Sequence, residues 1–324
     1  MHFTVMKHSN TLTVAAAQIS PVWGNHTATL DKILTSVKDA AERGAQMVAF
    51  GEALLPGYPF WLDFTGGAEF NSAKQKAMHA HYMAEAVDIN GGDLLPLQQV
   101  CAEKKIAVYL GTIERAADRG GHSLYCSMVY ITELGEIGSV HRKLMPTYEE
   151  RLAWSIGDGH GLVTHKLGAF TVGGLNCWEN WMPLARASLY AQGENLHVAC
   201  WPGSVRNTED ITRFMAKEGR SFVLSVSALM DLSDFPDGTP LLDEIKAKAP
   251  AQLVDGGSCL AGPDGNWIIE PVVDSEGVFV ADIDLVKVRE ERQNFDPMGH
   301  YSRPDVTKLT VNRIRQSNVD FIDE

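Results

Sequence analysis

A short apolar run with two glycines, Phe170-Thr-Val-Gly-Gly-Leu-Asn176, ends abruptly on Cys177-Trp-Glu-Asn-Trp-Met-Pro183. The run has the pattern of a buried strand that another backbone or a ligand approaches closely. Pro183 suits the first turn of a helix that continues to about Gln192. A thiol at such a junction faces free backbone N–H groups and the positive end of a helix dipole, and both favour thiolate over thiol. Cys177 is therefore a candidate nucleophile. The competing role is the usual one for a lone cysteine, a small buried hydrophobe.

Elsewhere strands and helices alternate. Thr11–Ile19 reads as a strand closed by Ser20-Pro21, and Asn25 or Thr27 can cap a helix through about Glu42 with Leu30, Ile33, Leu34, Val37 and Ala41 on one face. Gly44 ends that helix, and Gln46–Phe50 is a short buried strand leading into Gly51-Glu52. This strand–helix–strand unit builds a parallel pairing under a covering helix. Further helices are expected over about Ser72–Val87, Leu95–Lys104, Pro183–Gln192 and Asp210–Gly219. Further strands are expected over Ile106–Ile113, Leu124–Thr132, Gly138–His141, Leu196–Trp201, Ser221–Ala228, Ser258–Gly262, Trp267–Ile269 and Val278–Ile283. Phe235–Ala251 reads as an insertion, and the charged stretch from Leu285 to Glu324 as a tail wrapping outward. With no internal repeat or linker, the pattern gives one α/β domain of mixed sheets covered by helices, over residues 11–284. Residues 1–10 form a poorly ordered lead-in, and 285–324 a C-terminal extension.

Composition narrows the function. The net charge of −13 argues against nucleic acid and anionic membrane surfaces as partners. No apolar stretch approaches the roughly eighteen residues a membrane span needs, and the N-terminus lacks a signal peptide's apolar core. Five cysteines, widely spaced and odd in number, fit free thiols in a reducing compartment, with cytoplasm as the expected location. They fit neither a disulfide framework nor a zinc site, and His141, His160 and His197 show no metal-ligand spacing. No glycine-rich loop precedes a helix so as to cradle phosphate, so no cofactor is implied.

Two other segments carry reactive groups. Glu52 follows the buried strand in Val48-Ala-Phe-Gly-Glu-Ala-Leu-Leu-Pro-Gly-Tyr-Pro59. A carboxylate there is costly unless paired or raised in pKa, the condition of a general base. Lys143 lies in Arg142-Lys-Leu-Met-Pro-Thr-Tyr-Glu-Glu-Arg151, just after a hairpin strand. Singly, a strand-end acid pointing to water and a solvated surface lysine are the commoner roles. Together and in this order, the three segments resemble the Glu, Lys and Cys segments of nitrilases, the nitrile-attacking branch of the carbon–nitrogen hydrolase superfamily. Trp154, Gly157-Asp-Gly159 and the tail segment Asp296-Pro-Met-Gly-His-Tyr-Ser-Arg-Pro-Asp305 extend the likeness. Asn180 departs from the His that many microbial nitrilases carry after Cys-Trp-Glu.

The resemblance implies a four-layer α-β-β-α sandwich with two mixed β-sheets, and hydrolysis of a small organic nitrile by water to the acid and ammonia. By that alignment Glu52 is the base, Cys177 the nucleophile passing through thioimidate and thioester, and Lys143, with the Trp178 backbone N–H, the stabiliser of developing negative charge. Glu150 matches the acid that steadies Lys143, while Glu149 has no assigned role. Tyr58, Thr147, Trp154, Trp178 and Trp201 are the candidate substrate-binding residues, with core packing as the competing role of the aromatics. If they line the pocket, it is apolar and suits aryl or alkyl nitriles. Homo-oligomers built from dimers, extending to spirals or filaments, are also implied, with the 235–251 insertion and the tail as contact regions. A cyanide-degrading or amide-hydrolysing relative shares the same groups, and a silent member serving assembly is the reading from outside enzymology.

Overall fold

In the computed structural model, which describes residues 9–320, 322 and 323, two β-sheets lie face to face between helices. The expected lead-in falls outside the described residues up to position 8. β1 (Thr11–Gln18), β2 (Met47–Phe50), β3 (Ala107–Arg115), β4 (Leu124–Ile131) and β5 (Ile137–Arg142) lie in order across the first sheet. The second sheet holds β6 (His165–Leu167), β7 (Phe170–Asn176), β8 (Leu196–Trp201), β9 (Phe222–Ser227), β10 (Leu229–Asp231), β11 (Gln252–Ala261) and β12 (Trp267–Val273), in the order β10-β11-β9-β8-β7-β6 with β12 on β11. β13 (Gly277–Asp284) returns to pair antiparallel with β1. β1, β2 and β3 run parallel, as do β7, β8 and β9, and the remaining pairings are antiparallel. Both sheets are mixed.

Each layer follows from where the apolar side chains point. α1 (His26–Glu42) starts where the Asn25 side chain accepts from the Ala28 N–H at 3.0 Å. Its Ile33 and Val37 pack with Leu97 of the helix Leu95–Lys104 onto Val48, Val108 and Val129, the outer face of the first sheet. Alternation puts Val14, Tyr109 and Met128 on the inner face, where they meet Val172, Val198 and Leu224 of the second sheet. The outer face of the second sheet is covered by the helix Pro183–Tyr190, through Ala185 and Leu189 on Leu175, and by the helix Val205–Gly219, through Ile211 and Met215 on Ala199 and Val223. The order helix, sheet, sheet, helix is the expected four-layer sandwich.

The departures have local causes. The helix expected from Asp210 begins at Val205, because the Val205 N–H is taken by the Asp255 carboxylate, fifty residues away, at 3.1 Å. The 235–251 insertion contains the helix Leu242–Lys248 and leads into β11, six residues earlier than the strand expected from Ser258. Beyond β13 the chain forms the helix Leu285–Arg292. It then turns back on its own body instead of running outward: Arg315 reaches the Asp158 carboxylate at 3.0 Å and the Val140 carbonyl at 3.0 Å.

The inter-sheet layer carries the stability. Leu224, fully buried there, is expected to cost about 2–5 kcal/mol when cut to alanine. A lower urea midpoint with an unchanged slope checks this.

Candidate active site

Three of the strands end at one place. Glu52 stands two residues past β2, Lys143 directly after β5 and Cys177 directly after β7. The two sheets are tied together there, because the Glu52 N–H donates to the carbonyl of Trp201, the last residue of β8, at 2.9 Å. β3 presses on the same turn. A Cβ on Gly111 would lie 2.1 Å from the Gly51 oxygen and 2.6 Å from the Glu52 Cα, so only glycine lets the strand pass.

The side chains then converge. Lys143 Nζ lies 3.0 Å from Glu52 Oε1 and 2.7 Å from Glu150 Oε2, with all three groups buried. One carboxylate oxygen from each of Glu52 and Glu150 and the Cys177 sulfur all lie within 4.8 Å of one another. The Tyr58 hydroxyl donates to the other Glu150 oxygen at 2.8 Å, and the Thr147 N–H to Oε2 at 2.6 Å, so Glu150 is held from three directions. Glu52 Oε2 has no hydrogen-bond partner among the described residues. Glu52, Glu150 and Cys177 have the donor types of a metal site, but the Lys143 ammonium already occupies the contact between the carboxylates, and a second cation there would meet a like charge.

The electrostatics follow from burial. The Glu52 carboxyl is pushed up to about 8 by desolvation, helped by the Glu150 and Glu179 charges and opposed by Lys143. Burial works against the Lys143 ammonium, yet Cys177, Glu52 and Glu150 hold its pKa well above the ordinary lysine value. The Cys177 thiol is pushed well up, by burial first and then by Glu52, against the pull of Lys143 and of the Trp178 backbone N–H beside it. This corrects the expectation that the strand–helix junction favours thiolate. The element after β7 is a short 3-10 turn, Cys177–Trp181, and the longer helix starts only at Pro183, so desolvation outweighs the local N–H groups. Cys177 itself has φ 48°, a left-handed conformation that costs a non-glycine residue of order 1–3 kcal/mol.

The cluster opens on a cleft of about 490 Å³ whose walls include Tyr58, Phe60, Phe64, Thr147, Cys177 and Trp178. Of the five candidate substrate-binding residues, Tyr58, Thr147 and Trp178 are on its surface. Trp154 and Trp201 are placed behind it. The Trp154 ring lies 5.5 Å from Lys143 Nζ and edge-on to Tyr58, while Trp201 is fully buried with its indole N–H on Ser225. The cleft is also less apolar than a wall of tryptophans implies, because Asp63, Glu149 and Arg206 reach it. Pro250, Leu253 and Val254 complete it, from the end of the insertion and the start of β11, and no motif marked them. A larger groove of about 820 Å³ between the helix Pro183–Tyr190 and the tail presents no cysteine and no carboxylate. The three histidines serve structural contacts: His141 meets Glu179, His160 the Arg313 carbonyl, and His197 both Glu194 and Asn180.

Sequence comparison assigns the chain to one family. Residues 13–293 match the family model described as carbon-nitrogen hydrolase, so the chain belongs to the carbon–nitrogen hydrolases. Within that family it groups with the nitrilases. It is 34% identical over 323 residues to nitrilase 2 of Arabidopsis thaliana, covering 99% of this chain and 94% of that one. It is 35% identical over 307 residues to an aliphatic nitrilase of Sinorhizobium fredii (strain HH103), covering 94% and 97%. An amidase from Nesterenkonia sp. shares the fold, with a TM-score of 0.62 at 18% identity, covering 90% of this chain and 97% of that one.

A base must be ionised to accept a proton, and Glu52 ionises near 8 instead of at the ordinary 4.5. If Glu52 is the base of the reaction, turnover is expected to climb as pH rises through about 8 and to fall away below it. A pH profile of kcat/KM with its acidic limb near 4.5 would contradict Glu52 as the base.

Proposed function

We propose that this enzyme hydrolyses an organic nitrile to its carboxylic acid and ammonia at Cys177. The observation that carries the reading is the buried Glu52–Lys143–Glu150 ion cluster placed beside a thiol that opens on a cleft. Glu52 takes the thiol proton as sulfur attacks the nitrile carbon, the Lys143 ammonium and Trp178 N–H stabilise charge developing on nitrogen, and Glu52 passes the proton on to that nitrogen, giving a neutral thioimidate and an ionised Glu52. Water, deprotonated by Glu52, adds to form a tetrahedral intermediate. Loss of ammonia leaves a thioester, and a second water releases the acid. Loss of the thiol instead gives the amide, so some amide accompanies the acid. Glu150 holds Lys143 in place, and Tyr58 and Thr147 hold Glu150. The aromatic walls at Tyr58, Phe60, Phe64 and Trp178 favour aryl or alkyl nitriles, with Trp154 backing Tyr58 and Trp201 packed in the cluster that holds Cys177.

A panel of nitriles, each offered beside its amide with ammonia, acid and amide quantified, tests this. Nitriles are expected to turn over faster, and Lys143→Ala to lose about a hundred- to a thousand-fold in kcat, the scale of one lost oxyanion donor. Faster ammonia release from the amides would identify an amidase instead. Failure of a nitrile to react at all, with Cys177 unlabelled by a thiol-reactive analogue, would mark a silent member.

Residues 11–284 form the hydrolase domain in this reading, and 285–324 an extension engaged in oligomer contacts. Tyr301, Val306, Ile314 and Val319 are exposed on the tail, and Trp181 and Leu184 beside the cysteine turn, which supports a homo-oligomer built from dimers. Sedimentation velocity is expected to give a species of at least twice the 35.5 kDa chain mass; a lone monomer at micromolar concentration speaks against it. Five buried free cysteines fit a reducing compartment, and the cytoplasm is the proposed location. Among the described residues, no helix is long and apolar enough to cross a membrane.

A further inference from the structure

Lys143 and Cys177 sit on different sheets, and their reaction needs Nζ and Sγ held in register. β5, whose end leads directly into Lys143, is an edge strand paired only with β4, so no second strand flanks that end. One buried carboxylate crosses the gap. Glu179 Oε1 accepts from the Leu144 N–H at 2.5 Å and Oε2 from the Asn176 N–H at 2.8 Å, and His141 Nε2 lies 3.1 Å from both oxygens. Leu144 directly follows Lys143, His141 is two residues before it, and Asn176 directly precedes Cys177. The side chains of Glu179 and His141 are 0% and 1% exposed. We infer that Glu179, backed by His141, is a positioning residue that docks the lysine segment onto the cysteine turn.

The contacts bear out the charge this needs. Burial opposes ionisation of Glu179, but His141 and the N–H groups of Leu144 and Asn176 outweigh it and keep its carboxyl below the ordinary range. The Tyr58 and Thr147 bonds to Glu150 fix only groups on the lysine side and the Tyr58 loop, and the Glu52–Trp201 bond fixes only the base. Among the described residues, Glu179 alone hydrogen-bonds backbone on both sides of the lysine–cysteine pair. It also acts at a distance. Glu52 faces Lys143, Glu150 and, farther off, Glu179, whose negative charge helps hold the Glu52 proton.

The inference deepens the nitrilase reading, and its test is built to separate the two. Glu179→Gln keeps the size of the side chain but turns an amide toward two N–H donors. Glu179→Asp keeps the charge but is one methylene short of bridging both. In the full-length protein, Glu179→Gln is expected to lower kcat about ten- to a hundred-fold with KM within about two-fold, since misplacement of reacting groups acts on kcat. Its acidic limb is expected at lower pH than wild type, because the charge that helps raise Glu52 is gone. Glu179→Asp is expected to lose less and to keep the wild-type limb. The second measurement needs no nitrile: the rate of iodoacetamide alkylation of Cys177, with Cys177→Ala as the blank, is expected to fall at least about ten-fold in Glu179→Gln as the thiolate loses Lys143. A wild type inert to nitriles would end the substrate reading and leave this measurement standing. If both variants are folded by circular dichroism and keep wild-type kcat, limb and labelling rate, or lose activity only in step with the folded fraction, the positioning role is overturned. Should the Gln variant fail to fold, Glu179→Asp decides by the same criteria: wild-type kcat and labelling there overturn it.

Discussion

The site depends on one ammonium shared between two carboxylates in a dry interior. Removing one partner from a buried pair costs about 3–5 kcal/mol, because the survivor is left charged without compensation. Here the ledger of charge is uneven, with Lys143 facing both Glu52 and Glu150. Low dielectric resolves the imbalance by protonation. Glu52, whose second oxygen has no partner among the described residues, is the carboxylate pushed up, and below about 8 it keeps its proton. Burial thus favours a neutral Glu52 carboxyl beside the Lys143 ammonium, and a neutral Cys177 thiol.

That neutrality explains why three remote segments are needed. A thiol alone in this setting is a poor nucleophile, since burial and the nearby carboxylate hold its proton on. In the proposed reaction it becomes reactive only with a base beside it and a cation to receive the charge, and each is supplied by a different strand end. The sandwich brings those ends together because β2 and β7 both lie in parallel sections of their sheets and finish on the same side of the inter-sheet core. The layer of Val14, Tyr109, Val198 and Leu224 between the sheets thus sets the distance between Glu52 and Cys177 as well as the stability.

Much of this was legible in the sequence. Apolar runs located β1, β2, β3, β7, β8 and β9, because strands buried on both faces leave an unbroken apolar signal. Strand-end position and neighbouring motif residues mark Glu52, Lys143 and Cys177, the resemblance alone marks Glu150, and the structure brings all four together. Less visible were features made by distant partners. Nothing near Ser204 announces that Asp255 will start the next helix, and Cys177 looked like a thiolate because local N–H groups can be read from sequence while desolvation cannot. Glu179 stood inside the quoted Cys-Trp-Glu segment without a role, since its partners Leu144 and His141 come from the other sheet. Trp154 and Trp201 were picked out as aromatics near motifs, and only packing could tell lining from backing.

Part of the cleft's wall comes from segments apart from those that carry its floor. The reactive groups sit at strand ends locked by buried bonds, whereas Phe60 and Phe64 come from the turn and short helix after β2, and Pro250, Leu253 and Val254 from the end of the insertion and the start of β11. Replacements in those segments alter what fits above the sulfur while leaving its base and its cation untouched. Duplicated copies of such a gene can therefore drift toward new molecules by small steps, none of which has to pass through a dead enzyme.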